Sequence, residues 1–343
     1  MKMKPLGTFL LLAVCIAALA ACGHRAGQTT KPGQFSLGMV TDTGGLGDKS
    51  FNDSAYAGLE RAKSELGAHI QVLQSRSAAD YQPNLTTLTN IHPAEIYAVG
   101  NLMAKDLDTV AKQNPKQDYT IIDAIVADPN VASVTFKEED GSFLAGALAA
   151  LVSKSHHIAF LGGLDIPLLV KFEAGFAAGA HQIDPSTTVD TKYVGSFDDV
   201  ASGKELAGLL YSGGADIIYA AAGKAGLGAI DAVKNRQGDY LIGVDSNQDG
   251  LLPGKVLTSM VKHVDVAVFN VAQSAQANHP THGHVILGLK DHGISLTDFQ
   301  YTRSIIGAAN IARVNRLAQA IENGRIHPPS TRAELAAFKP VKL

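Results

Sequence analysis

"MVTDTGGLGDKSFNDSAYAGLERAKSEL" runs from Met39 to Leu66. An apolar run, Phe35 to Val40, leads into it, and Ala55, Leu59, Ala62 and Leu66 recur behind it at spacings of three and four. A short apolar strand, a polar loop and an amphipathic helix form the opening of a βα unit. The loop between them is made of Asp, Gly, Ser and Asn, chemistry that suits a phosphate, a metal ion, a reacting substrate or a neutral ligand. Gly44, Gly45 and Gly47 permit a tight turn, and Ser50 or Asn52 can cap the helix. Phe51, set between those two, is either a staple into the core or a platform on which something flat can stack.

The same alternation continues downstream. Apolar runs of strand length occur at 70–74, 95–100, 119–124, 132–136, 157–162, 191–197, 216–223, 240–245, 256–261 and 284–290. Helical patterns lie between most of them, as at Ser142 to Val152, Leu168 to Ile183, Ser202 to Leu210, Leu227 to Val233 and Ala267 to Ala277. Strands alternating with helices imply an α/β protein with largely parallel sheets covered on both faces. The strands are too many for one small sheet, so two doubly wound lobes with a ligand cleft between them are expected. The expected divisions are an N-terminal lobe at 35–154, a C-terminal lobe at 155–258, a return to the first at 259–285 and to the second at 286–343. The first crossing is placed at the polar break from Ser153 to His157.

The amino terminus is read as a processing signal. Lys2 and Lys4 precede an apolar stretch from Leu6 to Ala21, and Leu19-Ala20-Ala21-Cys22-Gly23 follows. This is an export signal over 1–21, too short and wrongly flanked for a mature membrane span. The small residues before Cys22 resemble the lipobox of bacterial lipoproteins, in which the new terminal Cys carries lipid. Residues 22–34 are polar and read as a flexible tether. Cys15 is lost with the signal, which leaves Cys22 alone, so an internal disulfide is impossible despite an oxidising destination. Stability must come from burial. The net charge of −3 argues against nucleic acid as a partner.

In open parallel sheets, ligands bind beyond the carboxyl ends of strands. That rule gathers Asp42 to Asn52, Asp123, Phe197-Asp198, Gly223 to Gly228, Asp245 and Lys262. The set holds two aromatic rings, several carboxylates, an amide and one ammonium, but no nucleophile paired with a base. Phosphate motifs are weak. "GKAGLGAID" (223–231) has the wrong glycine spacing, and "GLLPGKV" (250–256) is one residue short of a P-loop and lacks its Ser or Thr. Close backbone approach to a neutral ligand suits Gly226 and Gly228 better. The adjacent His156-His157 point apart on any regular element, and "NHPTHGH" (278–284) reads as surface histidines, so no metal or cofactor is expected. Glu138-Glu139-Asp140 and Asp198-Asp199 read as solvated helix starts.

Read in order, "VTDTGGLGDKSFNDSAYAGLERA", "IIDA", "NVASVTFKEEDGSFLAGALAA", "VGSFDDVASGKELA", "AAGKAGLGAIDAVK", "IGVDSNQDG" and "VLTSMVKHVDVAV" resemble the basic membrane protein family of bacterial lipoproteins over nearly the whole mature chain. The resemblance implies a type I periplasmic-binding-protein fold that closes over one purine nucleoside, of the inosine, guanosine or adenosine class. It implies delivery to an ABC permease by a monomer held to the bacterial cell membrane through lipidated Cys22. By the same resemblance, Phe51 and Phe197 sandwich the base and Asn52 and Asp123 bond its edge. Asp245 and Lys262 hold the ribose hydroxyls, Gly226 gives close approach, and Asp42 and Ser50 belong to the loop. Gly47 stands where the family often has an acid, and Asn247 where it has Asp. The rival readings are a binding protein for a sugar or signal molecule, although Trp is absent, and a nucleoside hydrolase.

Overall fold

The computed structural model describes residues 35–342. The signal at 1–21, Cys22 and the tether at 22–34 lie outside the described residues. Along the chain, β1 (Ser36–Thr41), α1 (Phe51–Leu66), β2 (His69–Gln74), α2 (Tyr81–Thr89), β3 (Glu95–Val99), α3 (Ala104–Gln113), β4 (Tyr119–Ile122) and β5 (Val131–Phe136) come first. Next are α4 (Glu138–Val152), β6 (His157–Gly162), α5 (Pro167–Ile183), β7 (Thr188–Tyr193), α6 (Val200–Ser212), β8 (Ile217–Ala221), α7 (Gly226–Val233), β9 (Tyr240–Asp245) and β10 (Val256–Lys262). The chain ends with α8 (Val264–Gln276), β11 (Gly283–Leu287), β12 (Ile294–Leu296), α9 (Arg303–Ile306), α10 (Ala308–Glu322) and α11 (Arg332–Ala337).

Two six-stranded sheets result. The first has the order β11-β5-β4-β3-β1-β2 and is wholly parallel. The second has the order β12-β10-β9-β8-β6-β7 and is parallel except for its edge strand β12, which runs antiparallel to β10. The central strands β1, β3, β4 and β8 are buried along their whole length, as expected of parallel strands covered on both faces. Both sheets are thus of the doubly wound α/β kind expected from the sequence.

Helix α4 packs on β10 and β12 and against α5 and α10. The chain therefore joins the second layer at Lys137, ahead of the polar break at Ser153 to His157 where the sequence placed the crossing. Nearly every residue from Glu138 to Ala149 is buried, so the helix lies within the core of that layer rather than on its surface. Its crossing with α5 is set by glycine. A Cβ on Gly146 would lie 1.8 Å from the Phe176 carbonyl oxygen, and one on Gly179 would lie 1.9 Å from that of Phe143. The two backbones touch, and no larger side chain fits between them. Strand β10 stays in the second sheet as far as Lys262, where it still pairs with β12.

Three segments link the layers, and they are bonded to one another. The Lys137 N–H donates to the Leu287 carbonyl at 2.9 Å, and the His263 N–H donates to that of Gly293, also at 2.9 Å. The carboxyl ends of both sheets, with their loops, meet across the gap that these links leave.

Candidate functional site

The loop after β1 is organised by a residue that the sequence reading did not single out. The Asp48 carboxylate accepts from the N–H groups of Ser50, Asn52 and Asp53 at 2.8–3.0 Å. The last two are donors that the first turn of α1 leaves without intrahelical partners. Asp48, rather than Ser50 or Asn52, therefore caps α1. That leaves the Ser50 and Asn52 side chains available for other contacts. Asn52 Nδ2 donates to Asp42 Oδ1 at 2.9 Å and to Asp48 Oδ2 at 3.1 Å. Both bonds fix the amide, and its buried oxygen has no protein partner. Ser50 Oγ crosses to the second sheet and donates to Asp245 Oδ2 at 2.9 Å.

Asp123 and Asp245 occupy equivalent places at the carboxyl ends of β4 and β9. Both have left-handed backbones, with φ of 69° and 62°. Such a conformation is uncommon outside Gly, Asn and Asp, and here it turns each carboxyl group off its strand. Lys262, at the end of β10, is only 2% exposed. Its Nζ lies 2.6 Å from Asp123 Oδ2, 3.7 Å from Asp245 Oδ1 and 3.8 Å from Glu138 Oε1. The closest partner is therefore Asp123, across the gap, rather than Asp245. The ammonium also stands 4.7 Å from the centre of the Phe51 ring and 5.5 Å from that of Phe172, within cation–π range.

Phe197 follows β7, and a Cβ on Gly163 would sit 2.3 Å from its ring. The ring therefore rests against the bare Gly163 backbone. Gly223, whose φ is 55°, supports it from the next loop.

Asp42, Phe51, Asn52, Asp123, Phe197, Asp245 and Lys262 line one cavity. Its walls enclose about 520 Å³ of empty space, open solvent at the mouth included. The aromatic rings of Phe51 and Phe197 line this slot between the sheets, and such rings suit a flat guest. Two sequence candidates are not among the lining residues. Ser50 acts through its bond to Asp245, and Gly226 is buried at the start of α7, its place at the wall taken by Gly223. The sequence reading missed Asp48, which lay in plain view in the opening loop. It also missed Leu168 and Phe172, which add an apolar wall. Their spacing of four in α5 is that of ordinary core residues, so no sequence signal marked them.

Burial is the largest influence on Asp42, Asp245 and Glu138. It pushes Asp42 up to about 6, with Asn52 and Gly44 opposing through hydrogen bonds. It pushes Asp245 up to about 6 as well, with Lys262 opposing and Asp123 adding to the rise. Glu138, read from sequence as part of a solvated helix start, is fully buried behind Lys262 and bonded by Lys171 at 2.9 Å. Burial pushes it up to about 7. Burial alone would lower Lys262, but the carboxylates of Asp123, Asp245 and Glu138 outweigh it and hold the ammonium protonated.

The slot can accept hydrogen bonds but is poorly equipped to transform a guest. One oxygen each of Asn52, Asp123 and Asp245 is buried without a hydrogen-bond partner, an arrangement that is costly unless a donor fills it. Lys262, held as a cation, is not a base. Among the described residues no group of three or more His, Cys, Asp or Glu is placed to hold a metal ion.

Comparison with known proteins points the same way. A profile of the family described as "ABC transporter substrate-binding protein PnrA-like" matches residues 35–331. The CD4+ T-cell-stimulating antigen of Listeria innocua is 34% identical, covering 93% of this chain and 97% of that protein. The ABC transporter nucleoside-binding protein BmpA of Lactococcus lactis is 31% identical, covering 96% of this chain and 100% of that protein. Among solved structures, an ABC transporter system solute-binding protein from Aeropyrum pernix K1 superposes with a TM-score of 0.81 at 27% identity, covering 88% of this chain and 96% of that one.

Proposed function

The chain belongs to the family of PnrA-like ABC transporter substrate-binding proteins, and on that premise we propose that it is a lipid-anchored receptor for purine nucleosides. Substrate-binding proteins of ABC importers act outside the cytoplasm and catalyse no reaction; they hand their ligand to a permease. The observation that carries the ligand class is the slot itself. Two phenyl rings from different sheets line it, together with three buried acceptor oxygens that lack donors.

A nucleoside has a flat base and a vicinal diol. In this reading Phe51 and Phe197 take the two faces of the base, worth roughly 1–3 kcal/mol for a stacked base. Asn52 and Asp123 accept from its edge. Asp245 and Lys262 hold the ribose hydroxyls, since charge-assisted hydrogen bonds are the stronger kind. Asp42 and Ser50 shape the loop and hold Asn52 and Asp245 in place. The lining is rich in carboxylates and has one ammonium, which opposes a phosphate and favours nucleosides over nucleotides. The name of the Lactococcus lactis relative supports the same ligand.

No helix among the described residues is long and apolar enough to cross a bilayer. The proposed anchor is Cys22, whose two acyl chains would give the stable attachment that one chain does not. Equilibrium binding to inosine, guanosine, adenosine, their 5′-monophosphates and ribose tests the ligand. Saturable binding of intact nucleosides alone is expected; a response to ribose with none to any nucleoside would refute the reading. Incorporation of labelled palmitate that disappears in Cys22→Ser is the expected result for the anchor.

A further inference from the structure

Away from the slot, the end of α5, the middle of α10 and the tail beyond α11 form a second pocket. It holds about 860 Å³ of empty space, again counting solvent at the mouth. Gln182, Arg313, Arg316 and Lys342 give it a polar wall, Ile183 and Leu317 an apolar one, and among the described residues no carboxylate lines it. The chain as a whole has 29 Lys and Arg against 32 Asp and Glu, so a lining with cations only departs from the mixed surface elsewhere. Arg313, Arg316 and Lys342 are all exposed. Among the described residues, the ion pairs engage other bases, such as Arg61, Arg236 and Arg332, and not these three.

The pocket is held in shape. Gln182 Nε2 donates to the Val341 carbonyl at 2.7 Å, and the Val341 N–H donates back to Gln182 Oε1 at 2.8 Å. Phe338 packs edge-on against Phe143 with ring centres 5.9 Å apart. These contacts fix the tail, so Lys342 is kept at the rim. Arg313 and Arg316, three apart on α10, share a face. One cation near the end of α5 would complement the helix dipole. Three together repel one another, and a bound anion would remove that repulsion.

We propose that this pocket binds a phosphoryl-bearing anion. Two guanidinium groups match phosphate oxygens in pairs, and an ammonium adds a third charge. The same chemistry is offered by free phosphate or pyrophosphate and by the headgroup of an anionic phospholipid. The site is separate from the slot, and the proposal does not depend on what the slot binds.

The test uses the full chain carrying Cys22→Ser, so that no attached lipid confuses the readings. One arm titrates it with inorganic phosphate and pyrophosphate. The other sediments it with phosphatidylglycerol vesicles and with phosphatidylcholine vesicles. Saturable binding is expected in one arm, and the responding arm identifies the source: free anion in the first, lipid in the second. In that arm the double variant Arg313→Gln, Arg316→Gln should bind at least tenfold more weakly, with its thermal melting curve kept. Lys342→Gln, at an exposed tail position, should show a smaller loss and guards against misfolding of the double variant. No saturable binding in either arm overturns the proposal, as does a double variant that binds like its parent. A drop in melting temperature without any anion binding also overturns it, and leaves the cations as complements to the end of α5.

Discussion

At the scale of single residues, Lys262 is the hinge of the electrostatics. It faces Asp123, Asp245 and Glu138 at once. Removing one partner of a buried ionic group costs about 3–5 kcal/mol. Lys262→Gln should therefore lower unfolding stability by about that much at pH 7.5, and by less at pH 5, where Asp245 and Glu138 protonate; urea melts at both pH values check this. The parent has its own pH dependence. Asp42 and Asp245 are pushed from 3.8 to about 6, and Glu138 from 4.5 to about 7, chiefly by burial. Between about pH 4 and pH 7 the folded chain then binds more protons than the unfolded one, so ligand-free stability should fall as pH rises through that window. Ligand affinity should move the other way. Asp245 accepts from a hydroxyl best when ionised, so nucleoside binding should weaken as pH drops below about 6. Calorimetry at pH 5 and 7.5 reads both trends. Phe51→Ala and Phe197→Ala should each weaken nucleoside binding at least tenfold, about 1.4 kcal/mol; parent-like affinity in both would mean that the rings serve only the core.

At the scale of elements, the decisive contact is the α4–α5 crossing. A methyl group at Gly146 or Gly179 would overlap a carbonyl oxygen of the facing helix. Gly146→Ala should therefore destabilise by about 3 kcal/mol, at the upper end of overpacking costs. Gly208 in α6 is the control, because a Cβ there meets nothing within 4 Å. Gly208→Ala should stabilise by about 0.5–1 kcal/mol through helix propensity alone. Thermal melts of the two variants should thus shift in opposite directions. If both move alike, the close approach of the two helices does not limit stability.

At the scale of the whole molecule, the two sheets meet through loops as well as links. Besides the Ser50–Asp245 bond, Ser246 Oγ donates to the Ser50 carbonyl at 2.8 Å and Gln248 Nε2 to that of Lys49 at 3.0 Å. Ser246 and Gln248 do not line the slot, so they can affect a ligand only through the meeting of the two layers. Each bond is worth about 1 kcal/mol. Ser246→Ala should lower nucleoside affinity by about fivefold and raise the radius of gyration of the ligand-bound protein in X-ray scattering. Unchanged affinity would show that these bonds do not assist closure.

The sequence by itself determined the α/β class, the two sheets and most of the slot. The strands are apolar along their length and the helices are periodic, and both patterns are local consequences of burial. Because ligands gather at the carboxyl ends of parallel strands, Asp42, Phe51, Asn52, Asp123, Phe197, Asp245 and Lys262 stand out as one set in the sequence alone. Only the tertiary structure decided how those groups pair. Lys262 lies nearest Asp123, 139 positions away, Asp48 takes the cap that Ser50 and Asn52 were expected to fill, and Glu138 is buried rather than solvated. It also decided that α4 packs with the second sheet, and that Gly223 rather than Gly226 stands at the wall. Periodicity records how each residue sits relative to its own element. Which strand ends face each other, and which charge therefore meets which, depends on how the layers stack, and no local pattern encodes that.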